Sequence, residues 1–412
     1  NEDYVEYKEN SIQMQNEHIA QNYNHPSLIF IGYMNEIFLR MVFDKNDEET
    51  RRKIIENSLD LATQLENLTR KEAPNHTTVM ALHGNQIYND TGIANIPMVI
   101  GWNLYYGWYE GDTYDLGGFL DKEFEKYPNR PLIISEYGVG ADQRLHNSNP
   151  KKFDFSEEYQ FEYHPGYYNQ IMERRFVVGM SAWNFADFGS EFRGDAMPHI
   201  NQKGLVNFNR EPKNIYYWYK TILKPEERAS CFFKGLSDHI NDSPIKEIII
   251  ISNQDIFLKV NKKERKLVKP VNGIIKLNVE LKAGENTLRL FDNSEKLLDT
   301  RIINYHKPDF SKSNILAISF GTESYFMDSN KQVWIPSKEV INLKIEGLFK
   351  VQKSSTNIRN TFEDPIYQSS INNVKKIQLV IPKGMYRVTV LIAELNKDQS
   401  QIYELGKNQN SN

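Results

Sequence analysis

The sequence predicts an α/β protein: part of a (β/α)8 TIM barrel, its N-terminal strands apparently missing from this chain, followed by two all-β sandwich domains. Three observations lead there. Over residues 1–225, near-continuous apolar runs alternate with amphipathic or polar helix-like stretches, the pattern of parallel strands covered on both faces. Each of those runs ends in chemically rich side chains, as strands do when their C-terminal ends surround the active site of a barrel. Beyond residue 225 the helical pattern stops and short alternating runs broken by Asn, Gly and Asp take over, as in antiparallel sandwiches. On this reading residues 1–226 hold barrel strands 4–8, residues 238–307 a first sandwich, and residues 312–405 a second, truncated one.

Element by element, "NEDYVEYKEN" (1–10) reads as a polar helix. The strand candidates are 27–35 "SLIFIGYMN", 77–84 "TTVMALHG", 97–105 "PMVIGWNLY", 131–137 "PLIISEY" and 176–185 "FVVGMSAWNF", with helix-like segments at 47–70, 114–126 and 212–223. A doubly wound sheet fits the alternation as well as a barrel does, but no glycine-rich phosphate loop follows any strand. The strand-end chemistry favours the barrel. Five strands leave two open edges and do not close, so three more are expected upstream of residue 1 or from another chain. Downstream, the β-like runs fill 246–307 and 314–396, the latter including "KKIQLVIPKGMYRVTVLIAEL", before a polar tail at 397–412.

The bulk composition excludes several classes. With 40% hydrophobic and 25% charged residues and a net charge of −4, the chain advertises neither nucleic acid nor an anionic membrane as partner. No apolar run approaches the length of a membrane span. The single cysteine, Cys231, rules out an internal disulfide and a cysteine metal cage. There is no initiator Met and no visible signal peptide. The 23 Tyr and 22 Phe suit stacking against sugar rings and equally suit β cores.

Two carboxylates, Glu36 and Glu136, stand at the ends of strand candidates 100 residues apart. Barrel strand ends converge on one axis, so two such acids can face each other across a pocket. Glycosidic cleavage needs that pair: one acid protonates the leaving oxygen while the other attacks or activates water. Asn35, His83, Tyr105 and Trp183 stand at the same strand ends. Taken singly, each is more often a cap, a core residue or an ion-pair partner; their coincidence is what points to a site. No His or Asp partner sits at ligand spacing from His83, so no metal site is expected.

The blocks "NHPSLIFIGYMNE" (24–36), "NLYYGWY" (103–109), "PLIISEYGVGA" (131–141) and "SAWNFADFGSEFR" with "NQKGLVNFNREPK" (181–213) resemble glycoside hydrolase family 2, the group of β-galactosidases, β-glucuronidases and β-mannosidases. They occur in the family's order and span residues 1–225 almost continuously. The resemblance implies a retaining exo-β-glycosidase with Glu36 as acid/base and Glu136 as nucleophile. It implies Asn35 on the sugar 2-hydroxyl, Tyr105 positioning the nucleophile, and Trp183 as platform beneath the sugar. His83 is grouped with the substrate-binding residues. Met34 stands where many members carry Gly. The triplet Asn201-Gln202-Lys203 resembles the one with which β-glucuronidases grip a substrate carboxylate, but the longer block 190–219 reads more like multidomain β-galactosidases. A β-galactosidase is therefore the leading expectation, with β-glucuronidase through Asn201 and Lys203 as its alternative and a non-catalytic carbohydrate-binding remnant as a third reading.

Downstream, "EIIIISNQDIFLKVNKK" and the runs after it resemble an immunoglobulin-like domain, and "ILAISFGTESYFMDSNKQVWIP" through "YRVTVLIAEL" is similar to a malectin-type carbohydrate-binding module, with Tyr325, Trp334 and Tyr367 as candidate sugar contacts. The chemistry requires no cofactor, and the expected partner is a carbohydrate. The resemblance further suggests a periplasmic or secreted bacterial setting and a possible homo-oligomer.

Overall fold

The structure, a computed structural model, describes residues 2–44, 46–235, 244–305, 315–340, 342–355 and 357–393. These fall into two compact units, one of residues 1–138 and 163–184, the other of residues 139–162 and 185–412.

The first unit is built on a parallel sheet of β1 (Phe30–Asn35), β2 (Thr77–His83), β3 (Val99–Asn103), β4 (Leu132–Tyr137) and, after the short β5 (Leu145–His146) of the other unit, β6 (Val177–Ala182), ordered β1-β2-β3-β4-β6. The five expected strands therefore pair in chain order. Central β3 is buried along its whole length, whereas β1 and β2 alternate buried with half-buried positions. That difference follows from covering on both faces in the middle of the sheet. Helix α1 (Glu2–Asn22) packs Ile19 onto Ile31 and Ala73.

After the short α2 (Leu39–Phe43) comes α3 (Glu48–Glu72), which begins where Asp47 accepts from the Thr50 N–H at 2.7 Å and carries Glu48 and Glu49 in its first turn, each favourable at the positive end of the helix dipole. Its buried Glu66 accepts from Tyr33 (2.8 Å), Thr78 (3.0 Å) and Arg70 (2.5 Å), tying the helix to β1 and β2. The helices α4 (Ile87–Asp90) and α5 (Asp115–Lys126) follow β2 and β3, and α6 (Glu157–Met172) lies between β4 and β6 in sequence.

In the second unit, β7 (Phe188–Gly194) and β8 (Pro198–Asn201) form a hairpin ahead of α7 (Asn214–Leu223). Then β9 (Ser230–Phe232), β10 (Ile245–Ser252) and β13 (Ile274–Glu280) make one antiparallel sheet. A second consists of β11 (Ile256–Val260), β12 (Lys266–Val268), β14 (Gly284–Phe291) and β15 (Leu297–Tyr305). Both sheets feed one core that includes Phe232, Ile248, Ile250, Ile256, Leu258, Leu288, Leu290 and Ile303, and each such side chain contributes about 1.5–3 kcal/mol by burial.

The last part consists of shorter strands. Strands β16 (Ala317–Ser319), β18 (Val333–Pro336) and β17 (Tyr325–Met327) form a mixed sheet whose outer member is β5. Two small antiparallel pairs accompany it: β19 (Leu343–Glu346) with β22 (Lys376–Leu379), and β20 (Lys350–Lys353) with β21 (Ser369–Asn372), the short α8 (Asp364–Tyr367) preceding β21. The run "YRVTVLIAEL" is corrected here: residues 386–393 form no strand, and Val388 and Val390 are exposed. The expected tail at 397–412 lies outside the described residues.

Candidate active site

The strand ends of the first unit hold the two acids in hydrogen bonds, Glu36 to Asn103 and Glu136 to Tyr105. At the end of β1 the register with β2 slips between Gly32 and Asn35, and Met34 and Glu36 adopt left-handed φ angles of 61° and 49°. A bulge of this kind re-aims side chains. A left-handed backbone at Met34 is also a physical reason for glycine to be favoured there. The Glu36 N–H donates to Ala81 O at 2.9 Å, anchoring the turn on β2.

The pivot is Asn103, which sequence reasoning missed. Its Nδ2 donates to Asn35 Oδ1 (3.1 Å) and Glu36 Oε1 (2.9 Å), and its Oδ1 accepts from Ser135 Oγ (2.6 Å). In the ladder, Asn103 pairs with Glu136. The third strand thus ends at Asn103 and not at Tyr105, which lies two residues beyond it. An amide closing an otherwise apolar strand was the available signal. Ser135 reaches Asn103 because Gly101 leaves room: a Cβ there would come within 2.6 Å of Ser135 Oγ.

Tyr105 donates to Glu136 Oε2 at 2.7 Å. Burial first, then the charge of Glu136 and to a smaller extent that of Glu36, push the phenol's pKa far up. It therefore stays protonated, orients the carboxylate, and feels both acids. His83 ends β2 as expected, but its described partner is Tyr88, whose OH lies 2.7 Å from Nδ1. Burial lowers the His83 pKa, and the Tyr88 oxygen accepts from the Phe38 N–H at 3.2 Å. Neutral His83 thus steadies the turn two residues past Glu36. Trp183, half-buried just beyond β6, donates its N–H to Tyr137 O at 2.8 Å. A Cβ on Gly138 would come within 2.3 Å of the Trp183 carbonyl oxygen, so the chain just past Glu136 approaches Trp183 as closely as only glycine permits.

In the second unit, Asn201 closes β8 and Lys203 follows two residues later; both are buried, and the Lys203 N–H donates to Asn201 Oδ1 at 3.2 Å. His199, exposed, has Nδ1 2.6 Å from Glu191 O. Of the candidate contacts in the last sheet, Tyr325 is buried, and Trp334 packs on Phe326 while donating to Asp328 at 3.1 Å. Among the described residues no group of three or more His, Cys, Asp or Glu side chains is arranged to hold a metal ion, and no helix is long and apolar enough to cross a membrane.

Two carboxylates at parallel strand ends, one bonded to an amide and the other to a phenol, are the side chains a glycoside hydrolase needs. More particularly, residues 1–225 match the model of glycosyl hydrolases family 2, TIM barrel domain, and the chain belongs to that family. A β-glucuronidase from Bacteroides fragilis is 29% identical over 317 residues, 74% of this chain and 43% of its own length. A solved Bacteroides uniformis β-glucuronidase superposes with a TM-score of 0.79 at 31% identity, covering 88% of this chain and 45% of that one. Bacteroides uniformis β-glucuronidase 2, covalently bound to cyclophellitol-6-carboxylate aziridine, gives 0.83 at 30% identity over 92% and 47%. The chain spans less than half the length of these relatives. Their names overturn the expectation of a β-galactosidase and favour its β-glucuronidase alternative.

Proposed function

We propose that this chain supplies the catalytic groups of a retaining β-glucuronidase. One observation supports the substrate above all: Lys203, buried beside Asn201, in a chain whose relatives bear that name. The triplet Asn201-Gln202-Lys203 resembles the one with which β-glucuronidases grip a substrate carboxylate, a task a lysine suits as a point charge.

Glu136 attacks the anomeric carbon while Glu36 gives its proton to the departing oxygen. A glycosyl-enzyme ester forms, and Glu36, now ionised, takes a proton from the water that cleaves it. Tyr105 orients Glu136, Asn35 takes the sugar 2-hydroxyl, and Trp183 forms the floor beneath the ring. Asn201 and Lys203 receive the carboxylate, and His83 acts through Tyr88 on the turn that holds Glu36. The reading extends to an immunoglobulin-like module at 238–307, which two sheets on one core support, and a malectin-like module at 312–405. A periplasmic or secreted setting belongs to it by resemblance.

The test is covalent. Cyclophellitol-6-carboxylate aziridine should add its mass to the chain, on the peptide holding Glu136, and Glu136→Gln should prevent it. Labelling elsewhere, or none on a protein that includes the remaining barrel strands, contradicts the assignment.

A further inference from the structure

Gln202 separates Asn201 from Lys203 and makes hydrogen bonds with all of its polar groups while only 5% exposed. Its N–H donates to Asp195 Oδ2 (3.1 Å), and its carbonyl accepts from the Ala141 N–H (2.9 Å) and Lys213 Nζ (3.0 Å). Its side-chain oxygen accepts from the Met197 N–H (2.8 Å), and its Nε2 donates to Asp142 Oδ2 (2.9 Å). Lys213 also donates to Ala141 O (2.7 Å) and Asp187 Oδ1 (2.8 Å), and that same Asp187 oxygen accepts from the Gly204 N–H (2.8 Å). A Cβ on Gly204 would come within 2.2 Å of the Asp187 nitrogen. The loop is therefore fixed from behind on both sides of Lys203.

Asp142 is the link outward. Burial alone raises a carboxyl pKa, but the hydrogen bonds and charge of Arg144 bring this one down to about 2, so it is ionised. Arg144 grips it with a fork, Nε to Oδ1 at 2.9 Å and Nη2 to Oδ2 at 2.8 Å. The remaining Nη1 donates to Phe362 O at 2.8 Å and lies 3.6 Å from Glu363, and the guanidinium sits 5.1 Å from the Phe326 ring centre. The Arg144 carbonyl accepts from the Met327 N–H at 2.9 Å, and β5, directly after it, pairs with β17. One guanidinium thus joins the substrate loop to the last β-rich segment.

We propose that Arg144 is a positioning residue for the uronate carboxylate: it clamps Asp142 against Gln202 on one side and residues 362–363 on the other, so that the grip of Asn201 and Lys203 depends on the sheet β16-β18-β17. The inference rests on the β-glucuronidase reading and deepens it. Residues 315–367 then serve selectivity as scaffold, whether or not they bind sugar themselves.

The test compares kcat and KM on an aryl β-glucuronide and an aryl β-galactoside for the full chain, Arg144→Gln, Arg144→Lys and Lys203→Ala. Arg144→Gln should raise KM for the glucuronide by about 10-fold with a smaller change in kcat, because a displaced binding group weakens the grip before it alters the chemistry. The glucuronide-to-galactoside ratio of kcat/KM should fall with it. Arg144→Lys keeps the charge and loses the fork; it should fall between the two and serves as the readout if the Gln variant does not fold. An unchanged ratio, or an equal fall in kcat on both substrates with KM unmoved, overturns the proposal. A Lys203→Ala variant that keeps the wild-type preference overturns the β-glucuronidase reading itself.

Discussion

Asn103 and Tyr105 hold the two acids from different sides, and the variants of each should fail differently. Tyr105→Phe removes a donor to Glu136 and leaves the ring packed; kcat should fall about 10–100-fold while KM for an aryl glycoside changes little. Asn103→Ala frees Glu36 and Asn35 together, leaves the Ser135 hydroxyl without its acceptor, and should cost about 100-fold in kcat/KM. Steady-state kinetics beside circular dichroism checks both; a folded Asn103→Ala with wild-type rates would remove Asn103 from the site. Glu36 and Glu136 were legible because an acid at the end of an apolar run is conspicuous. Asn103 was not: inside "VIGWNLY" it passes for part of the strand, and only the ladder reveals that it meets Asn35 from across β2. His83 was legible as a strand-end residue, but its link to Tyr88 and Phe38 depends on how the chain turns after β2.

At the scale of elements, strands and helices of the first unit follow local pattern closely, since Asp47 at the start of α3 and the uninterrupted apolar stretch of β3 each agree with the fold. Where the sequence misleads, pairing is the cause. Residues 386–393 alternate as a strand should, yet a strand exists only against a neighbour, and none is paired there. The close approach of Gly138 to Trp183 was equally invisible, being a distance between two elements. Gly138→Ala drives a methyl group toward a backbone carbonyl that flexible side chains cannot vacate; it should destabilise the protein by about 1–3 kcal/mol and lower activity by displacing Glu136 or Trp183. Urea unfolding and rate measurements on the same variant test this, and unchanged values in both would show that β4 and Trp183 separate freely.

At the scale of the whole molecule, pH should act on stability through Glu157. Its carboxylate accepts from the Asn214 N–H (3.0 Å) and Nδ2 (2.7 Å), and Asn214 in turn bonds Lys234. Burial raises the Glu157 pKa from 4.5 to about 7, although His146, the Asn214 N–H and Lys213 act to lower it. Between those values the folded chain holds a proton that the unfolded chain has released, so stability is fullest below pH 4.5 and declines as pH rises through 7. The decline from this one group is roughly 3 kcal/mol; Glu157→Gln should flatten it, and parallel pH curves for the two proteins would contradict the assignment. The central claim concerns the substrate, and the most direct measurement is hydrolysis of aryl β-glucuronide, β-galactoside, β-glucoside and β-mannoside by the longest available chain, beside Glu136→Ala and Lys203→Ala. Turnover confined largely to the glucuronide, abolished by Glu136→Ala and stripped of its selectivity by Lys203→Ala, is the predicted result. Preference for a neutral glycoside, or glucuronide turnover indifferent to either substitution, would contradict it.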